Sequence, residues 1–156
     1  MSFILILFEA GCDDIKQQLQ PEKNDCPAQV VSAPSTEHSG IEWTPGKVSA
    51  QIGTVLTECI PHRISATEKV AASTEYEIAV TARINYVLDK DEYRTFEARL
   101  IFEAMTANGV VIKSNNSSFR LVRGGNSGTA SAVITALSRE EVARVKRIVV
   151  RWEYGR

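Results

Sequence analysis

From Tyr76 to Tyr154 the chain alternates apolar and polar residues with few interruptions. Tyr76, Ile78, Val80, Ala82, Ile84, Tyr86 and Leu88 occupy every second position, with Glu77, Thr81, Arg83 and Asn85 between them. Successive side chains of a strand point to opposite faces, so this pattern predicts a long strand with one buried and one wet face. Phe96, Ala98, Leu100, Phe102 and Ala104 repeat it against Glu97, Arg99, Ile101 and Glu103. The polar stretch Asp89-Lys90-Asp91-Glu92 between the two runs predicts that they pair as an antiparallel hairpin. Asn108-Gly109 is a strong tight-turn signal leading into Val110-Val111-Ile112. Ser114-Asn115-Asn116-Ser117 reads as another turn, ahead of Phe119 and Leu121. Gly124-Gly125-Asn126-Ser127-Gly128 opens a loop, and Ala130, Ala132, Ile134 and Ala136 alternate after it.

Ser138-Arg139-Glu140-Glu141 has the form of a capping box, in which serine and glutamate satisfy each other's backbone donors at a helix start. A turn or two of helix fits before Ile148, Val150, Trp152 and Tyr154, which share one face of a last strand. Five or more antiparallel strands joined by short turns predict a mainly β fold, an immunoglobulin-like two-sheet sandwich with one or two short helices.

Upstream of Tyr76 the pattern supports two readings. Val48, Ile52, Val55, Leu56 and Cys59 recur at helical spacing behind Thr44-Pro45, a cap followed by a first-turn proline. Val48, Ala50 and Ile52 also alternate, and Thr54, Val55 and Thr57 favour strands. Both readings stay open, with Pro61 expected to end the element. From Asp13 to Gly46 apolar residues recur at no period, and four of the five prolines lie between Pro21 and Pro45. Such a segment buries too little to offset its ordering entropy and reads as a tether, with a short strand at Gln29-Val30-Val31. Fully extended, 30 such residues reach about 100 Å.

The chain opens with six consecutive apolar residues, Phe3 to Phe8, followed by Glu9-Ala10-Gly11-Cys12-Asp13. A membrane-spanning helix needs about 20 apolar residues. Ala10-Gly11-Cys12 resembles the small-small-Cys end of a bacterial lipoprotein signal peptide. Glu9 stands where that family places an apolar residue, and no Lys or Arg precedes Cys12. Either the true start lies upstream of Met1, or Met1 to Leu7 is an ordinary buried strand.

The resemblance implies a signal-like segment at 1–11, a lipidated Cys12 leading a tether over 12–46, and a sandwich domain over 47–156. It further implies acyl chains on Cys12 inserted in the lipid bilayer, and a periplasm-facing location in the cell envelope. Asp13 resembles the signal that holds some lipoproteins at the inner membrane. The order of features from Tyr76 to Tyr154 is similar to small immunoglobulin-like or FxLYD-type envelope domains, with Phe119-Arg120-Leu121-Val122 the nearest relic of that signature.

Composition narrows function by exclusion. The 156 residues, 44% hydrophobic and 24% charged, suit one domain with a well-buried core. A net charge of −1 speaks against a nucleic-acid partner, because neutralising phosphates requires surplus Lys and Arg. The basic bias after Ser138, which includes Arg139, Arg144 and Arg147, reads as solvated faces. Three cysteines are an odd number. Lipidation of Cys12 leaves Cys26 and Cys59 for a disulfide closing a loop of about 33 residues.

Cys26, His38, Cys59 and His62 offer the ligand types of tetrahedral zinc, and a soluble zinc-binding domain is the alternative function. Zinc sites place close ligand pairs on rigid turns, a spacing these four lack. No Gly-x-Ser-x-Gly elbow is present, and Asp89 with Asp91 and Glu140 with Glu141 sit where acids solvate turns or favour helix starts. The chain reads as neither an enzyme nor a cofactor carrier. The loop from Val122 to Gly128 lacks the ending of a phosphate loop and reads as a hairpin connection. Asn115 and Asn116 head glycosylation sequons that a bacterial lipoprotein has no reason to use. Trp152 and Tyr154 read as core, and Trp43 as an edge plug or a partner contact. The expectation is a non-catalytic, membrane-anchored interaction or structural module with a protein partner.

Overall fold

A computed structural model describes residues 26, 31–32, 40–43, 48–68, 71–88 and 95–153. Eight strands and one helix follow in the order β1 (Val31–Ser32), β2 (Gly40–Trp43), β3 (Val48–Ile64), β4 (Ser73–Leu88), β5 (Thr95–Met105), β6 (Val111–Val122), β7 (Ser127–Leu137), α1 (Arg139–Arg144) and β8 (Arg147–Trp152). They form two four-stranded sheets, ordered β1-β8-β5-β6 and β2-β3-β4-β7. All pairings are antiparallel except that of β1 with β8. Strands β3, β4 and β7 in one sheet and β6, β5 and β8 in the other follow the Greek-key order of an immunoglobulin-like sandwich.

The predicted β4–β5 hairpin does not form. β4 pairs with β3 and β7, whereas β5 pairs with β6 and β8, so the chain changes sheets between Leu88 and Thr95. Both strands are amphipathic, and their apolar faces meet across the core instead of lying side by side. Ile78, Val80 and Ile84 from one sheet and Leu100, Phe102 and Ala104 from the other are wholly buried between the layers, as are Ile148, Val150 and Trp152.

β3 resolves the open reading in favour of strand. Its register shifts between Ile52 and Val55, where Gly53 and Thr54 form a bulge. The inserted residue carries the buried phase from Val48-Ala50-Ile52 to Val55. That slip is what mimics helical spacing. Pro61 does not end the strand, which runs on to Ile64. Among the described residues, β3 has a second strand neighbour only along its first residues, Val48 to Gln51, so Pro61 stands in a stretch with one described neighbour, β4, where a proline is tolerated.

The predicted turn at Ser114–Ser117 is also absent, since β6 continues through it. Its side chains are polar because β6 is an edge strand lying beside β7 across the gap between the sheets. The Asn115 amide donates to the Val133 carbonyl at 2.8 Å, and the Lys113 ammonium donates to the Ala136 carbonyl at 2.6 Å. Asn108-Gly109 forms the β5–β6 turn, with Gly109 at φ +80°.

The Val122–Gly128 loop carries the chain from one sheet to the other and is not a hairpin. The Tyr86 hydroxyl accepts from Val122 N–H at 3.2 Å, and the Tyr86 ring meets Phe119 edge-on at 5.8 Å. A side chain at Gly125 would strike that hydroxyl, and one at Gly128 would lie 2.8 Å from the Phe119 ring. These glycines make room for aromatics.

α1 begins with the predicted capping box. Ser138 Oγ accepts from Glu141 N–H at 3.1 Å and the Glu141 carboxylate accepts from Ser138 N–H at 2.8 Å. Just before it, β7 bulges where its register against β4 shifts, and Ala136 takes φ 53°. The bulge returns Leu137 to the buried face opposite Tyr76.

Left-handed backbone strains an alanine but not a glycine, while glycine loses more entropy on folding. Ala136→Gly is therefore expected to raise unfolding free energy by about 0.5 kcal/mol in urea titrations. The backbone hydrogen bond from Ser138 holds the Glu141 carboxyl below its ordinary pKa. A lowered folded-state pKa adds stability that is complete above the unfolded value and is lost as pH falls through the folded one. Glu141→Gln should flatten the acid limb of the stability–pH curve below the ordinary carboxylate range and leave its shape near neutrality unchanged.

Candidate functional site

Cys26 and Cys59 are bonded in the structure, with Cα atoms 5.9 Å apart. Cys59 sits on the inward phase of β3, opposite Ile78, and packs against the core. Cys26 precedes β1, so the bond ties the chain entering one sheet to a strand of the other. It closes the flank of the sandwich opposite the β6–β7 side. The stretch 12–46 thus supplies Cys26, β1 and β2 to the folded body, and Trp43 takes its place on β2 opposite Val48. Met1 to Cys12, Asp13, His38 and Tyr154 lie outside the described residues.

His62 is three residues beyond Cys59 and therefore on the opposite, outward face of β3. Its Nε2 lies 2.9 Å from the Glu77 carboxylate. The two thiols are engaged with each other and this imidazole faces away from them. Among the described residues no three His, Cys, Asp or Glu side chains group to hold a metal. Nor is any described helix long and apolar enough to cross a membrane.

The outer face of the other sheet is ordered by charge. Arg151 on β8 forks onto Glu103 of β5, with Nε and Nη2 donating at 3.0 and 2.9 Å. This hydrogen bond raises the Arg151 pKa above its ordinary value. Arg99 and Glu153 pair beside it at 3.2 Å. Glu103 is 9% exposed, so its carboxylate is held in place by the fork and not merely solvated.

A third feature lies at one end of the sandwich. The end of β3, the start of β4, their flanking residues and the first residue of α1 border an open cleft of about 580 Å³ lined by Arg63, Ile64, Ser65, Ala72, Ser73, Thr74, Tyr76 and Arg139. Tyr76 opens the buried alternation of β4 and is wholly inaccessible to solvent. Its hydroxyl has no hydrogen-bond partner. Arg139 arrives because α1 starts two residues after Leu137, the cross-strand partner of Tyr76. Arg63 arrives through the pairing of Arg63 with Thr74. The cleft therefore combines two guanidinium groups with four hydroxyl-bearing residues, and none of the described residues lining it is acidic.

Sequence patterning gave no sign of this cleft. Tyr76 reads as the first core residue of a strand, Arg139 as the solvated start of a helix and Arg63 as the residue after a proline-histidine pair. Only the register of β3, β4 and β7 brings them together.

Comparison with protein-family models, curated proteins and solved structures finds no match for this chain.

Breaking the disulfide restores freedom to a loop of 33 residues. The paired substitution Cys26→Ala with Cys59→Ala is expected to cost about 3–4 kcal/mol of stability, measured as a lowered urea midpoint. Adding reductant should then shift the wild-type midpoint but not that of the double variant.

Proposed function

We propose that this protein is a non-catalytic lipoprotein of the bacterial cell envelope, held at the membrane by acyl chains on Cys12, with the sandwich acting as an interaction or structural module. The observation that carries this reading is the Cys26–Cys59 bond. Structural disulfides persist in oxidising compartments such as the periplasm, and a cytosolic chain has little use for one. With Cys26 and Cys59 joined, Cys12 is the odd cysteine, and lipidation disposes of it.

The bond also sets the reach of the anchor. Of the stretch read as a tether, only the part before Cys26 can run freely from Cys12 to the folded body. Those 14 residues span about 50 Å at most when extended, half the reach of the whole stretch. The module is thus held near the membrane face, a short lead that suits a partner in or beside the bilayer.

Intact-mass spectrometry of the protein recovered from bacterial membranes tests the proposal. The expected result is loss of residues 1–11, a diacylglyceryl mass on Cys12 and the two-hydrogen deficit of one disulfide. A retained Met1 with free thiols, or a zinc ion bound to reduced Cys26 and Cys59, overturns it.

A further inference from the structure

We infer that the end of the sandwich formed by the β5–β6 turn and the start of β8 rests on the bilayer, with Lys146 and Arg147 against anionic lipid headgroups and Val110 and Val111 entering between them. The inference rests on the anchored reading above and adds to it which part of the module touches the membrane.

Strand register assembles this surface. Met105, the last residue of β5, stands between Val111 of β6 and Arg147 of β8 in one cross-strand row. Lys146 N–H donates to the Met105 carbonyl at 2.9 Å, which ties the entry into β8 to the same row. Beyond the row the turn is closed by Thr106 N–H donating to the Val110 carbonyl at 2.9 Å and Gly109 N–H donating to the Thr106 carbonyl at 3.1 Å. On this turn Val110 and Val111 are 59% and 44% exposed, and Lys146 and Arg147 are exposed across β5 from them. Single exposed apolar residues are ordinary, but adjacent ones on a projecting turn with cations nearby have the make-up of a membrane-surface contact. The acids of α1, Glu140 and Glu141, stand at its start, next to β7, and Glu141 is offset by Lys113 and Arg144. Glu103, farther along β5, is taken by the fork of Arg151.

The attachment of the chain selects this end of the sandwich over the other. α1 carries the chain across it, from Leu137 of β7 to Arg147 of β8, and the end of β3 lies there too, because Tyr76 pairs with Pro61 on one side and Leu137 on the other. Cys26, where the lead from Cys12 joins the body, is bonded to Cys59, five residues before the end of β3 and eleven after its start. Val31 lies opposite Arg147 itself. The anchor therefore pulls on the half of the module that carries the valines and the cations.

The test uses the full-length, disulfide-bonded chain carrying Cys12→Ser, and so without acyl chains, mixed with vesicles of phosphatidylcholine alone or of phosphatidylcholine and phosphatidylglycerol in equal parts. Co-sedimentation reads binding, and a spin-labelled lipid headgroup reads which backbone amide signals broaden. Expected are a preference for the anionic vesicles that fades with added salt, and broadening centred on residues 105–111 and 144–147. Lys146→Ala and Arg147→Ala should each weaken binding to the anionic vesicles about fivefold, and Val110→Ser should weaken it without altering its salt dependence. Arg120→Ala, on the outer face of the same sheet, should leave it unchanged. All variants share the apolar run Phe3 to Phe8, so any partition of that run into lipid cancels between them. Equal binding to both vesicles, affinity indifferent to Lys146 and Arg147, or broadening centred on residues 122–128 at the opposite end overturns the inference. Because the chain tested carries no acyl group, such a failure leaves acylation of Cys12 standing, and an unacylated Cys12 in the intact-mass measurement leaves the vesicle result standing.

Discussion

Every strand of this sandwich must keep one face toward the layer between the sheets, and that demand for constant phase governs the rest of the structure. Strand side chains alternate with a period of two, so one extra residue turns the whole downstream apolar set outward. β3 and β7 both contain such a slip, and in both a bulge absorbs it. At Gly53-Thr54 the bulge restores Val55 to the core, and at Thr135-Ala136 it restores Leu137. The second correction places an alanine in left-handed backbone, a local cost accepted because an outward Leu137 would open the core beside Tyr76 and Val142.

Phase explains the faces of the sandwich, and its two flanks are closed by different chemistry. On the β6–β7 side, inward positions of an edge strand carry Lys113 and Asn115, whose side chains donate to carbonyls of the other sheet. Polar residues there are structural, since they satisfy carbonyls of a strand that has no further neighbour on that side among the described residues. On the other flank the closure is covalent, through Cys26 and Cys59. The covalent flank is where the chain enters from its N-terminal part, so the bond both seals the core edge and fixes where a pull on the preceding chain is applied. A pull on residues before Cys26 is passed to β3 directly, without unzipping β1 from β8.

The legibility of the sequence follows from the same constraint. β4, β5, β7 and β8 were readable because their alternation is unbroken over most of their length, and α1 because a capping box is a local signal. β3 was ambiguous because its bulge converts spacing of two into spacing of three. The β4–β5 hairpin was misread because alternation reports which face of a strand is buried and not which sheet holds it. Ser114–Ser117 looked like a turn because polar side chains needed at an edge have the composition of a loop. The cleft was invisible for a deeper reason: Arg63, Tyr76 and Arg139 are each unremarkable where they stand, and their proximity is a product of register across three strands.

That register also decides which side chains meet at the exposed ends of the sandwich. On a face, alternate positions are committed to the core and the outward ones are evenly solvated or, like Arg151 and Glu103, paired with each other. At an end the inward phase runs out of opposing side chains, and Tyr76 is fully buried there. Loops and helix starts converge there with no obligation to fill the layer. A hydroxyl buried at such a place without a partner is a net cost to the fold. The phase constraint makes the core apolar, yet β4 still carries two hydroxyls inward, that of Tyr86 bonded to Val122 and that of Tyr76 without a partner.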